Sequence, residues 1–267
     1  MKRIIFTGKG GVGKTTILSN LVRLLVMDGQ RVLAIDCDPS MNLAMSLGIP
    51  LDDVVSLAED KARVQRQLEA ELGLQEHEDD DDEEHEHKPL PPGKLSEYII
   101  TTKDGISLIV MGTIPYGGAG CLCAPIALVK MLVNFLSNGP EDYDYIIIDS
   151  QAGVEIFGRG LATEFDMTLV ITEPTPKSLE VAKHGSRLAR DLGVKKQVAV
   201  INKVEDENDF AFAKSQLIDS VDLILAMGYD SSVKEADKKG VILLDLNPHA
   251  PALADIIRIK DCITGEI

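Results

Sequence analysis

Residues Gly8–Thr15 read GKGGVGKT and fit the pattern G-x-x-x-x-G-K-[ST]. The residues before them, Arg3–Thr7 (RIIFT), form a continuous β-type run. The residues after them, Lys14–Met27, carry Ile17, Leu18, Leu21, Leu24 and Leu25 at helical spacing. A strand, a glycine-rich turn and a helix are the context in which this pattern cradles phosphate. Glycine is required because backbone amides must converge on phosphate oxygens with no side chains in the way. Lys14 is placed to reach the β- and γ-phosphates, and the Thr15 hydroxyl to meet Mg²⁺. The nucleotide-binding set is therefore Gly8, Gly10, Gly11, Val12, Gly13, Lys14, Thr15 and Thr16.

Outward from this turn, apolar runs alternate with helical patterns. Strands are expected at Arg31–Ile35, Ile106–Met111, Tyr145–Ile148, Met167–Thr172, Gln197–Ile201 and Val221–Leu225. Helices are expected at Leu51–Leu72, Pro125–Leu136, Ser178–Leu192 and Pro251–Ile263, with a mixed segment around Phe210–Leu217. Uninterrupted apolar strands separated by helices predict an α/β fold, a mostly parallel sheet covered on both faces. The expectation is a single P-loop domain over 1–267 with an inserted loop at 75–95.

The chain has 267 residues and a formal charge of −16, with 43 acids against 27 bases. Such a surface argues against nucleic acid and anionic membranes as partners, since both demand a basic face. The charge is concentrated. Glu76–His87 reads EHEDDDDEEHEH, nine acids in twelve residues, and without those nine the balance is −7. A like-charge run of this kind reads as a solvated, disordered loop. It also holds His77, His85 and His87, three of the five histidines, so it is a candidate metal-buffering antenna. No apolar run approaches the ~18 residues of a spanning helix, and the N-terminus lacks the apolar core of a signal peptide. A cytoplasmic location is expected, with the four cysteines free or metal-bound rather than paired.

Further carboxylates are expected beside the phosphate turn. Asp36 and Asp38 end the second strand in Ile35-Asp36-Cys37-Asp38-Pro39, at the edge where parallel sheets bind ligands. Asp36 reads as Mg²⁺ support. Ile146–Asp149 is an apolar strand closing on a carboxylate, a partner for hydrated Mg²⁺. The metal set on this side is Thr15, Asp36 and Asp149.

The string Lys9–Thr16 (KGGVGKTT) resembles the deviant P-loop of a group of ATPases. That group includes septum-positioning and chromosome-partitioning proteins, nitrogenase iron protein, and the arsenite and tail-anchored-protein ATPases. The resemblance implies that Lys9 is a signature lysine reaching phosphate across a nucleotide-sandwich homodimer. It implies that Asp38 opens a first switch and positions the attacking water, with Asn42 a further switch residue. It makes Ser150-Gln151-Ala152-Gly153 a second switch. Lys9, Lys14 and Asp38 are the catalytic set. Asn202-Lys203-Val204-Glu205 is similar to the guanine motif N-K-x-D but ends in glutamate. In the deviant group the asparagine, here Asn202, contacts adenine, so ATP is the expected nucleotide.

Gly117–Pro125 reads GGAGCLCAP. In an extended chain residues two apart point the same way, about 6.6 Å apart. Cys121 and Cys123 can thus face one ion. A closed soft-metal site takes about four ligands, so two more must come from elsewhere in the chain or from a second subunit, and a two-fold dimer supplies a second pair automatically. Together with the P-loop and Ile171-Thr172-Glu173-Pro174, the run Gly112–Cys123 (GTIPYGGAGCLC) resembles the carbon monoxide dehydrogenase nickel-insertion accessory ATPases. That resemblance implies a homodimer binding nickel or zinc between paired C-x-C motifs. Its client would be a nickel enzyme, carbon monoxide dehydrogenase or acetyl-CoA synthase. The alternatives are a membrane- or DNA-associated regulator of the septum-positioning kind and an iron–sulfur reductase resembling nitrogenase iron protein.

Overall fold

The computed structural model describes residues 1–59, 63–66, 68, 97–113, 123–138, 143–158 and 160–266. The segment 75–95 lies outside them, and so do Cys121 and most of the glycine-rich run before it.

Eight strands form one sheet: β1 (Lys2–Thr7), β2 (Val32–Cys37), β3 (Ile100–Thr101), β4 (Ser107–Val110), β5 (Tyr145–Ser150), β6 (Met167–Thr172), β7 (Lys196–Val204) and β8 (Leu223–Gly228). Their order is β3-β4-β2-β5-β1-β6-β7-β8. Every pairing is parallel except β3 with β4 at the edge. The sheet is mostly parallel, as the alternating pattern predicts, and the chain builds outward on both sides of β1. A sheet of this kind binds ligands beyond the carboxyl ends of its strands, where the winding reverses. The glycine turn follows β1 at that point.

The period of two along β1 divides the core. Ile4 and Phe6 pack on one face, with Ile17, Leu18 and Leu21 of helix α1 (Lys14–Met27) and Ile256 and Ile259 of the C-terminal helix Pro251–Thr264. Ile5 packs on the other, with Val129, Leu132 and Val133 of helix Cys123–Asn138. All three β1 residues are fully buried. A strand sealed on both faces must be apolar throughout, which is why RIIFT does not alternate.

Three expectations need correction, and one further helix was not anticipated. The second strand runs on to Cys37, so Asp36 lies within it. Leu51–Leu72 is not one helix: Leu51–Asp53 is a single 3-10 turn, the chain then extends, and helix resumes at 63–66. The Leu57 and Ala58 amides donate to the Val110 and Met111 carbonyls, drawing this stretch onto the end of β4. Tertiary pairing here overrides a weak helical propensity. Around Phe210–Leu217 there is a regular helix, Glu207–Leu217, whose first amides are capped by Asp206. A helix not anticipated, Ser231–Lys239, begins at the cap Asp230 and ends on Gly240.

Candidate functional site

The turn after β1 is built by close approach. Gly8 has φ +145°, and a Cβ there would lie 2.1 Å from the Ile171 carbonyl oxygen of β6. Its own carbonyl accepts from Gly153 N–H at 3.0 Å, tying the turn to the segment after β5. Gly13, at φ +96°, starts α1 with no side-chain cap and no acid in the first turn. The helix therefore presents unpaired N–H groups and its positive dipole end to an incoming anion.

Lys14 is 7% exposed, and its Nζ lies 3.4 and 3.5 Å from the Gly8 and Lys9 carbonyl oxygens. Burial pushes its pKa down, while Asp149 and Asp38 pull it back up. Lys9 is exposed. The Thr15 hydroxyl donates to Asp149 Oδ2 at 2.5 Å. Asp149 Oδ1 is buried without a hydrogen-bond partner among the described residues. A buried carboxylate oxygen cannot stay orphaned cheaply. The pair Thr15 and Asp149 thus suits a hydrated Mg²⁺, which would satisfy that oxygen.

Asp36 stands in register with Asp149 on the neighbouring strand, and both are fully buried. Its oxygens accept from the Asp38 amide at 3.1 Å and the Leu43 amide at 3.0 Å. It thereby anchors the chain between β2 and the short helix Asn42–Ser46. Asp38 is partly exposed and accepts at Oδ1 from both the amide and the hydroxyl of Ser40. Burial raises Asp36 to about 8, helped by Asp149, and raises Asp149 to about 6.

Both shifts make the folded chain hold protons that the unfolded chain, titrating near 3.8, has released. Stability of the nucleotide-free, Mg²⁺-free protein is therefore expected to fall as pH rises from about 4, up to about 6 for Asp149 and up to about 8 for Asp36, by up to about 1.4 kcal/mol per pH unit for each carboxyl within its own window. Thermal melts at pH 6 and pH 8 check this. A melting temperature higher at pH 8 contradicts the assigned burial.

Asn202 reaches the same turn from β7. Its Nδ2 donates to the Val12 carbonyl at 2.7 Å, and its Oδ1 accepts from the Lys203 amide. Both polar groups of the expected adenine contact thus engage backbone, although the residue still borders the cleft. That cleft has a volume of about 860 Å³. Gly10, Gly11, Gly13, Lys14, Thr15, Thr16, Asp38 and Asn42 line its phosphate side, and Tyr229, Val233 and Asp237 form a far wall. The far wall rests on the helix Ser231–Lys239. Its signals were Asp230 two residues before the second serine and Lys-Lys-Gly at the end, a cap and a stop.

Of the thiol pair, Cys121 lies outside the described residues. Cys123 is the first residue of helix Cys123–Asn138. Pro125 sits in that helix's first turn, where a missing N–H costs nothing. Among the described residues no group of three or more His, Cys, Asp or Glu is arranged to hold a metal ion. No helix among them is long and apolar enough to cross a membrane.

Residues 4–244 match the family model of the CobQ/CobB/MinD/ParA nucleotide binding domain. The chain is 34% identical over 246 residues to the carbon monoxide dehydrogenase accessory protein CooC of Rhodospirillum rubrum, covering 92% of this chain and 90% of that one. It is 37% identical over 209 residues to an uncharacterized ATP-binding protein of Methanocaldococcus jannaschii, covering 77% and 76%. Among solved structures, the cell division ATPase MinD of Pyrococcus furiosus superposes with a TM-score of 0.72 at 21% identity, over 100% of both chains.

Proposed function

This chain belongs to the CobQ/CobB/MinD/ParA family of nucleotide-binding ATPases, and on that premise we propose that it is a dimeric, ATP-driven metallochaperone for a nickel enzyme. The observation that carries the reading is the 34% identity to CooC across 92% of the chain. The motif Cys121-Leu122-Cys123 supports it from the sequence side. The client is carbon monoxide dehydrogenase or acetyl-CoA synthase, and the cargo is nickel or zinc.

In this reading the α1 amides and Lys14 bind the triphosphate. Thr15 and Asp149 would hold Mg²⁺, which would supply charge neutralisation at the phosphates. Asp36, behind Asp149, keeps the switch segment 38–46 attached to the metal side through its two amide contacts. Asp38 orients the attacking water. Lys9, which is exposed, stabilises charge on the phosphoryl group of the partner's nucleotide. Adenine lies against the wall that includes Asn202 and Tyr229. ATP closes the homodimer and brings four thiolates, two from each subunit, onto one metal ion. Hydrolysis opens it and releases the ion, a two-state switch biased by contacts to the γ-phosphate.

Anaerobic nickel titration of the wild type and of Cys121→Ser/Cys123→Ser, with and without a non-hydrolysable ATP analogue, tests this. One tight ion per dimer is expected in the wild type and none in the double variant, with mass doubling in the presence of the analogue. An equally tight ion in the double variant overturns the thiolate assignment.

A further inference from the structure

The ion pair between Glu173 and Lys203 is not among the residues that bind nucleotide or metal in the reading above, yet it touches the phosphate turn. Lys203 Nζ donates to the Gly11 carbonyl at 2.9 Å and to Glu173 Oε1 at 2.5 Å. Glu173 directly follows β6, and Lys203 lies near the end of β7. Lys203 has φ +59°, a left-handed backbone that an L-residue adopts only against a cost. It sits where the β7–β8 register shifts between Ile201 and Val204. Strain of this kind persists where surrounding structure imposes it, commonly at functional sites.

Its consequence follows from the peptide unit. In a planar trans peptide the C=O and the N–H point in opposite directions. Lys203 holds the Gly11 carbonyl, so the Val12 N–H points away from Lys203. Asn202 holds the Val12 carbonyl, so the Gly13 N–H points away from Asn202. Two successive amides are thereby oriented together, as in an anion-binding nest. The Lys203 side chain is 45% exposed and would otherwise sample solvent, whereas Glu173 is 23% exposed and fixed at a strand end.

We propose that Glu173 is a positioning residue for phosphate binding: it tethers the Lys203 ammonium on the Gly11 carbonyl and so keeps the P-loop amides aimed at the nucleotide's phosphates. The proposal rests on the nucleotide-binding reading of the cleft. It makes the pair act on the phosphates and not on the base.

The test measures affinity for ATP and for inorganic tripolyphosphate, together with steady-state hydrolysis, in the wild type, Glu173→Gln, Lys203→Ala, Lys203→Arg and the double variant Glu173→Gln/Lys203→Ala. Glu173→Gln is expected to weaken both ligands by the same factor, roughly fivefold or more, the scale of one lost hydrogen bond. KM rises to match, kcat stays within about twofold, and the melting temperature is unchanged. Lys203→Arg restores most of the affinity lost in Lys203→Ala. The double variant is no weaker than Lys203→Ala, because the glutamate acts only through the lysine. Unchanged affinity in Glu173→Gln overturns the proposal. So does a loss seen with ATP but not with tripolyphosphate, which would assign the pair to the base. A wild type that binds neither ligand instead overturns the nucleotide-binding reading itself.

Discussion

Lys14→Ala is expected to lower ATP hydrolysis at least a hundredfold and to leave the nucleotide-free fold intact. Lys14 is almost fully buried at the base of the glycine turn. Its neighbours are the backbone carbonyls of Gly8 and Lys9 and the carboxylates of Asp149 and Asp38. With alanine in its place, a triphosphate entering the cleft meets those carboxylates without the lysine ammonium between them. Removing one preorganised charge donor from a desolvated site typically costs about 2.7–4 kcal/mol in the transition state, or 10²–10³ in rate. Stability should change little, because burying the ammonium is itself unfavourable: its pKa is pushed down by desolvation. Lys14→Arg is expected to be equally inactive, since a planar guanidinium does not fit the space of a compact ammonium. Steady-state phosphate release checks activity, and a thermal melt checks the fold. Hydrolysis within tenfold of wild type in Lys14→Ala would remove Lys14 from the reaction.

The second large effect is on the fold. Gly8→Ala is expected to destabilise the protein by more than about 3 kcal/mol, a size reserved for clashes and cavities in a packed interior. For a chain of this length that lowers the melting temperature by roughly 6–12 °C, at about 2–4 °C per kcal/mol. The cause is specific. The new methyl would meet the Ile171 carbonyl oxygen at 2.1 Å, and that oxygen belongs to a central strand that cannot yield. Gly11→Ala is the control. Gly11 also has positive φ, +79°, but a methyl there meets nothing within 4 Å. Only the left-handed strain of about 1–2 kcal/mol should remain. Equal melting temperatures in the two variants would mean that backbone flexibility, and not close approach to β6, is what Gly8 supplies.

Much of the fold was legible because its strands are buried on both faces. Ile4-Ile5-Phe6 and Ile146-Ile147-Ile148 are apolar without interruption, and only the interior of a covered parallel sheet uses such runs. The phosphate turn was legible because backbone geometry dictates glycine there, whatever the surroundings. Less visible were elements whose evidence lies in capping. Helix Ser231–Lys239 is polar overall and buries one residue, Ala236, so it offers few apolar side chains from which a helical stripe could be read. It is defined by Asp230 at one end and Gly240 at the other. The supposed helix Leu51–Leu72 failed for the opposite reason: its composition is helical, but Leu57 and Ala58 find better partners at the end of β4.

The candidate site divides along the same line. The sequence alone singled out the residues proposed to meet phosphate and Mg²⁺, because that chemistry requires fixed types at fixed spacing along one strand, turn and helix. Lys14, Thr15 and the glycines belong to that group, and Asp149 joins it as the carboxylate that ends an apolar strand. Only the tertiary structure decided what holds them. Asp36 meets Asp149 through the β2–β5 register, 113 residues apart in the chain. Asn202 and Lys203 grip the Val12 and Gly11 carbonyls from the end of β7, 190 and 192 residues away. Such contacts leave no local signature, because a backbone carbonyl accepts from any donor that the fold delivers, and the sequence does not record which strand ends will be neighbours.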